Sequence, residues 1–402
     1  MVLTTRERVV LAQTDICAAY LERADVVRVL TVGFLAESNV LLLGSPGTAK
    51  SALVRALASH VSDARFAERL LSRFTVKEDL LGAIKVSGLR DRDVYERNMS
   101  GTPGDSDIVF LDETFRASGA VLDLTLNMLN ERTVDGKALP LKFCVGASNF
   151  GAKDDYLDAL DDRLLLRVIV ESIQEVNNFD KYLEQAADAN RSGYVALPEH
   201  TITREEWRQA SQECRKVGLT PGVRGELAKL RTKCATAKIH VSDRRWGALV
   251  RILQANAWLD GCSVIESDHL DILRHGLWRK IEDRSAVQTM INLLDSGDVK
   301  FMADQGDTFL RRCLDWQSAV PLAKDKQTSE IAAERDTIRA AIKTKMASTT
   351  ARGKAKGLEV LGRIDGGYLP VMHHMFRMMG VPVAMATAKL AEVAAADGRP
   401  PG

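Results

Sequence analysis

"LLLGSPGTAKS", residues 41–51, decides how this chain folds. Gly44 opens the pattern G-x-x-x-x-G-K-[S/T], and Lys50 and Ser51 close it. Ala49 stands where the pattern has its second glycine. Just before the loop, "NVLLLG" is a continuous apolar run ended by glycine. A strand buried on both faces of a parallel sheet reads that way. Beyond it, "ALVRALASHV" has helical periodicity. Strand, glycine loop and helix in this order aim backbone N–H groups at a phosphate from the positive end of a helix. The loop is Gly44, Ser45, Pro46, Gly47, Thr48, Ala49, Lys50 and Ser51. Lys50 is expected to reach the β- and γ-phosphates, and Ser51 to place a hydroxyl on Mg²⁺. Alanine prefers a negative φ. Ala49 is therefore expected in first-turn helical geometry, with its methyl turned away from the phosphates.

Working outward, three more runs read as buried strands: "DIVFLDE" (107–113), "LKFCVGASN" (141–149) and "LLLRVIV" (164–170). Helical patterns such as "SGAVLDLTLNMLNER" separate them. Residues 6–37, ahead of the loop, are helical too. Alternating strands and helices imply a parallel sheet covered on both faces, an α/β class. From about residue 173 strand-like runs disappear. "REEWRQASQECRKV", "GELAKLRTKCATAK", "DRRWGALVRILQANAWL" and "ESDHLDILRHGLWRKI" read as helices, with Ser242 or Asp243 capping the third. The expected organisation is an α/β core over 1–172, an all-α lid subdomain over 173–285 and a mainly helical region over 286–402. Within the last, "ASTTARGKAKG" reads as a basic linker. Arg339, Lys343, Lys345, Arg352, Lys354 and Lys356 form a run without acids, read as a solvated helix end and linker, or else as a docking surface for an acidic partner or nucleic acid. "ATAKLAEVAAADGRPPG" reads as a helix ending at Gly398.

The 402 residues carry 46% hydrophobic and 27% charged side chains and a net charge of +1. That is the balance of an ordinary globular protein, and no global field pulls the chain toward nucleic acid. Six cysteines are scattered without C-x-x-C spacing, which suits a reducing compartment. "MVLTTRERVV" has no signal core, and no uncharged apolar stretch is long enough to span a bilayer. A cytoplasmic protein without membrane attachment is expected.

The chemistry follows the loop in chain order. At the end of its strand, Asp112 would face the Mg²⁺ shell and Glu113 would orient and polarise an attacking water. Asn149, at the tip of "GASN", would sense the γ-phosphate or that water. Arg163 or Arg167, flanking "LLLRVIV", would act across a subunit interface. Arg163 is favoured because it precedes the strand at an exposed turn. Such a finger is worth about 10³ to 10⁵ in rate. Arg244 or Arg245, opening a helix in "VSDRRW", could fold back onto the nucleotide of its own chain. A guanidinium fork pairs two phosphate oxygens at once.

In this order, the motifs resemble those of the AAA+ ATPases. "YLERADVVRVL", "NVLLLGSPGTAKS", "RFTVKEDLLGAI", "YERNMSG", "DIVFLDETFRASGAVLDLTLNMLNERTVDG", "GASNF", "LDALDDRLLLR" and "VSDRRWGALVRILQANAWLDG" are similar to the MoxR family, and within it to the RavA-like branch. The likeness covers about residues 18 to 280. It implies ATP and Mg²⁺ at the loop, Asp112 and Glu113 as the acidic pair, and Asn149 as sensor 1. It also implies a trans finger at Arg163 and sensor 2 at Arg244. The ring it implies is usually a hexamer that remodels a partner, often a von Willebrand factor A-domain protein. Family inserts would fall within residues 77–101 and reach the ring's central face. After residue 285 the chain departs from the branch, because no β-rich segment is evident there. An ATP-driven nucleic-acid motor and a non-hydrolysing nucleotide switch are the alternatives. The near-neutral net charge argues against the first, and an intact Glu113 argues against the second. His373 and His374 read as packing, since neighbouring histidines on a helix point apart.

Overall fold

The structure is a computed structural model that describes residues 3–93, 96–149, 162–192, 198–292, 297–318, 321–348, 351–379, 381–382 and 384–397. Two compact units emerge, one comprising Met1–Ile265 and His269–Asn292, the other Glu266–Asp268 and Leu293–Gly402.

The first unit is built on a five-stranded sheet. Its strands are β1 (Val40–Leu43), β2 (Phe66–Leu70), β3 (Ile108–Asp112), β4 (Phe143–Ser148) and β5 (Leu166–Ile169), in the order β2-β3-β4-β1-β5. All neighbours are parallel. Every side chain of β1 and β4 is buried, as continuous apolar runs require when helices cover both faces. α1 (Thr5–Ala19) starts on a Thr4/Glu7 capping box. α2 (Ala24–Leu35) buries nine of its twelve residues. α3 (Lys50–Ser59) leaves the loop, and α6 (Gly119–Asn130) follows β3.

β2 is the strand the sequence reading missed. "FAERL" buries only Ala67, because it is an edge strand paired on one side to β3. No apolar run marks it. After β2 come two short helices, α4 (Lys77–Leu81) and α5 (Val86–Arg92). After β5 comes α7 (Val176–Ser192), a helix not assigned from sequence.

The lid helices are α8 (Arg204–Cys214), α9 (Pro221–Thr236), α10 (Asp243–Leu259) and the short α11 (Arg284–Asn292). Ser242 caps α10 by accepting from Arg245 N at 3.2 Å. Trp207 stacks on Phe34 at 4.0 Å and donates Nε1 to the Phe34 carbonyl at 2.9 Å, locking α8 onto α2. Gly218–Leu219 and Val264–Ile265 form a two-residue parallel pair, too short to register as an apolar run.

The second unit packs α12 (Gly297–Ser318), α13 (Pro321–Ser348), α14 (Ala351–Met378) and α15 (Ala384–Ala396) around Phe309, Trp316, Ile342, Leu361, Tyr368 and Val371. Two expectations fail here. Ala351 to Gly357 are helix, not linker. The basic run is not wholly solvated either. Arg339 is buried and bonds Asp365 at 2.6 Å as well as Asp397, while Lys343 reaches Asp397 at 2.6 Å. Burial raises the Asp397 carboxyl, but hydrogen bonds from Lys343 and Arg339 outweigh it and hold it below its ordinary value. The pattern of cations without nearby acids hid these partners, which arrive from α14 and the turn after α15. Arg339→Ala takes a partner from two buried carboxylates at once. It should cost about 3–5 kcal/mol, read as a lower denaturation midpoint of this unit in the full chain. The His373 and His374 pair lies on α14, where the His374 ring meets Trp316 edge-on at 5.4 Å.

Candidate functional site

The loop, Asp112, Glu113 and Asn149 all sit at the carboxyl ends of parallel strands. Leu43 pairs with Ser148, and Leu111 with Gly146, so β4 lies between the loop strand and the acidic strand. Asn149, one residue past β4, therefore stands between the two. Its Nδ2 donates to Glu113 Oε1 at 3.3 Å. Arg116 holds the other carboxylate oxygen at 3.3 Å. Thr114, fully buried, accepts from Ala147 N at 3.1 Å and pins the turn after β3 against β4. Gly146 leaves the room, since a Cβ there would lie 2.9 Å from the Thr114 hydroxyl. Thr114, Arg116 and Gly146 went unnoticed in the sequence. The glycine inside an otherwise apolar strand was the signal for a close approach.

In the loop, Gly44 passes so near Val170 that a Cβ would meet its carbonyl at 2.3 Å. Gly47 has φ 80° and Ala49 φ 67°, both left-handed. The expectation for Ala49 is overturned, because it is the left-handed N-cap of α3 and not its first helical residue. Left-handed residues alternating with ordinary ones turn successive N–H groups inward and form an anion nest. A glycine would take this conformation without strain, whereas an alanine carries about 1–2 kcal/mol. Part of that is offset by the extra freedom of glycine in the unfolded chain. Ala49→Gly should thus raise the denaturation midpoint modestly, by about 0.5–1 kcal/mol in stability, and leave hydrolysis within a few-fold.

Lys50 is buried and donates Nζ to the carbonyls of Gly44 and Ser45 at 2.7 and 2.8 Å. Burial pushes its ammonium below its ordinary value, while Asp112 and Glu113 push it back up. Thr48 Oγ1 bonds the Ser45 carbonyl at 2.9 Å and closes the loop on itself. Ser51 and Asp112 supply a hydroxyl and a carboxylate, hard oxygen donors that suit Mg²⁺.

The arginines lie elsewhere. Asn39, just before β1, donates Nδ2 to the Arg163 carbonyl at 3.3 Å. Arg163 and Arg244 both line a cavity of about 180 Å³ with Asn39, Asn130, Asp162 and Arg251. Arg244 Nη2 donates to Asn130 Oδ1. This cavity is at the amino end of β1 and the loop is at the carboxyl end. Five residue steps separate Asn39 from Gly44, roughly 16 Å at the rise of a parallel strand. Arg244 is placed in this cavity beside Asn130. Arg167 is fully buried and donates to the Trp278 carbonyl at 2.7 Å, so it is enclosed in its own subunit. Arg245 is buried as well, bonding the Gly276 and Leu165 carbonyls at 2.7 and 2.6 Å. Both second choices are thus buried and bonded to carbonyls of their own chain.

A 2-3-4-1-5 parallel sheet with a phosphate-type loop after β1, an acidic pair after β3 and a helical lid defines the AAA+ fold. Residues 7–207 match the family model described as the MoxR domain in the MoxR-vWA-beta-propeller ternary systems. Residues 223–291 match an AAA lid domain. The chain belongs to the MoxR family of AAA+ ATPases. Two uncharacterized proteins of Methanocaldococcus jannaschii, MJ0079 and MJ0812, are similar to it. MJ0079 is 32% identical over 68% of this chain and 70% of its own length, and MJ0812 is 30% identical over 71% and 75%. A crystallised ATPase candidate from Cytophaga hutchinsonii superposes with a TM-score of 0.58 at 17% identity, covering 72% of this chain and 94% of its own. At that identity it speaks for the fold alone. No described helix is long and apolar enough to cross a membrane.

Proposed function

We propose that this protein hydrolyses Mg²⁺-bound ATP in a ring, a hexamer, and uses the turnover to remodel or activate a partner protein. The observation that carries hydrolysis is the Asn149–Glu113 hydrogen bond at the strand end beside the loop. It holds a carboxylate where an attacking water would need a base. The loop N–H groups and Lys50 would hold the phosphates, and Ser51 and Asp112 would hold the metal. Bound there, Mg²⁺ would neutralise charge on the β- and γ-phosphate oxygens. Glu113→Gln keeps the shape but cannot take a proton. Turnover should fall by about 10² to 10⁴ while ATP binding persists, measured as γ-phosphate release against nucleotide binding.

Assembly is supported by the far placement of Arg163 and Arg244. Two arginines that share one cavity away from their own loop suit a neighbour's nucleotide. Specific activity should climb steeply with protein concentration, alongside a sedimentation shift to a closed ring. A dilute monomer working at full rate would end this reading. A von Willebrand factor A-domain partner is part of the proposal, supported by the family's description. The RavA-like affiliation is part of it too, and rests on "VSDRRWGALVRILQANAWLDG". So are the division at 1–172, 173–285 and 286–402 and action in the cytoplasm, the last supported by six free thiols.

A further inference from the structure

The cavity shared by Arg163 and Arg244 holds more positive charge than its own carboxylates neutralise. Five guanidinium groups line it, against the carboxylates of Glu37 and Asp162. Glu37 is claimed from outside as well, since Arg215, just past α8, bonds its Oε2 at 2.9 Å. Two of the five cations are committed to their own chain. Arg245 donates to the Gly276 and Leu165 carbonyls, and Arg132 to the Leu141 and Glu37 carbonyls. Burial holds the Arg132 guanidinium below its ordinary value. Glu37 raises it, and the like charge of Arg251 lowers it further.

The other three have capacity to spare. Arg163 Nη1 lies 3.3 Å from Asp162 Oδ2, but its Nε is buried without a hydrogen-bond partner. A buried donor left unpaired is costly, and an orphan of this kind points to a group that the free chain does not supply. Arg244 bonds the neutral side chain of Asn130. Arg251 is exposed, and no carboxylate among the described residues pairs with it. Arg244 and Arg251 are seven residues apart on α10, two turns along one face. Both can therefore turn into one cavity.

Cations gathered in a concave place focus a positive potential and draw anions to it. Size narrows the ligand further. At about 180 Å³ the cavity admits a small anion. It is smaller than the roughly 300–1,000 Å³ of pockets that enclose drug-sized ligands, so a whole nucleotide does not fit. A guanidinium fork pairs two phosphate oxygens at once. A tetrahedral phosphate has further oxygens to offer a second and a third fork, whereas a carboxylate has two in all. We propose that in the free subunit this cavity binds inorganic phosphate through Arg163, Arg244 and Arg251, and that this phosphate competes with the neighbour's nucleotide for the same arginines. Phosphate released by turnover thereby loosens the assembly that produced it.

The competition rests on the ring reading, but the binding site does not, and the two are measured separately. Binding is followed by phosphorus NMR titration of the full chain carrying Lys50→Ala, without nucleotide, so that the loop lacks its cation. Ionic strength is matched with KCl. Inorganic phosphate should bind with a dissociation constant of about 1 mM, the worth of two or three charge-assisted hydrogen bonds. Adding Arg251→Ala should weaken binding at least about tenfold, the loss of one such bond. Arg251→Lys should restore only part of it, because a point charge replaces a fork. Equal binding with and without the Arg251 guanidinium, or no binding in either chain, overturns the site.

Competition is read by sedimentation velocity of the parent chain with excess Mg²⁺ and ATP, which keep the loop filled. At about ten times its dissociation constant, phosphate should raise the protein concentration needed for assembly about tenfold over matched KCl. If the Lys50→Ala chain binds phosphate but assembly of the parent ignores it, the competition is overturned and the ring reading stands. If the parent stays monomeric with and without phosphate, the ring reading fails and takes the competition with it, and the NMR titration alone decides the site. A phosphate effect on assembly that persists in full in Arg251→Ala puts the ion elsewhere and overturns the proposal.

Discussion

Lys50→Ala is expected to abolish turnover, lowering it by at least about 10³-fold, with the fold intact. The ammonium is the cation that the loop brings to the phosphates, and it sits in a buried place where its charge is poorly screened. Burial already lowers its affinity for a proton, which Asp112 and Glu113 partly restore. Its two hydrogen bonds run to carbonyls of its own loop, Gly44 and Ser45. Losing them should change stability by only about 1 kcal/mol, since a desolvated charge leaves with them. The check is γ-phosphate release at a protein concentration that saturates assembly, beside a denaturation curve. Turnover within tenfold of the parent would mean that the loop is not the hydrolytic site. Lys50→Arg should rescue poorly, because a planar fork is wider than the point charge this pocket encloses.

The legible parts of this fold were those that bury themselves locally. β1, β3, β4 and β5 are apolar runs because both faces of each are covered, and the loop and the acidic pair are marked by residue types that few other structures need. Asn149 could be placed from order alone, since β4 had to lie between the other two strands. What stayed hidden depended on distant partners. β2 buries one residue and pairs on one side, so its sequence carries almost no strand signal. The sign of φ at Ala49 is set by how the loop must close, which overrode the preference of alanine. Arg167 and Arg245 looked like their neighbours Arg163 and Arg244 until the Trp278, Gly276 and Leu165 carbonyls enclosed them. Arg339 looked solvated until Asp365 and Asp397 arrived from α14 and the turn after α15.

Arg163→Ala should lower turnover by about 10³ to 10⁵, equivalent to roughly 4–7 kcal/mol of transition-state stabilisation, without weakening ATP binding by a comparable factor. The mixing experiment then asks where the arginine acts. Lys50→Ala subunits keep Arg163 but lack the loop cation, and Arg163→Ala subunits keep the loop but lack the arginine. If every site joins the loop of one subunit to the arginine of the next, random half-and-half rings contain some sites with both parts. One half of the loops are intact, and one half of those face an intact arginine, so activity should return to about one quarter of the parent. An arginine working on its own loop predicts no recovery at any ratio. The geometry argues for the first outcome, because β1 lies between Arg163 and the loop it would otherwise have to serve. Arg244→Ala should complement Lys50→Ala in the same way, since it shares the Arg163 cavity. Arg167→Ala should not complement, because it removes a buried guanidinium that holds the Trp278 carbonyl inside its own subunit. Recovery by Arg167→Ala, or none by Arg163→Ala, would assign the finger to a different residue.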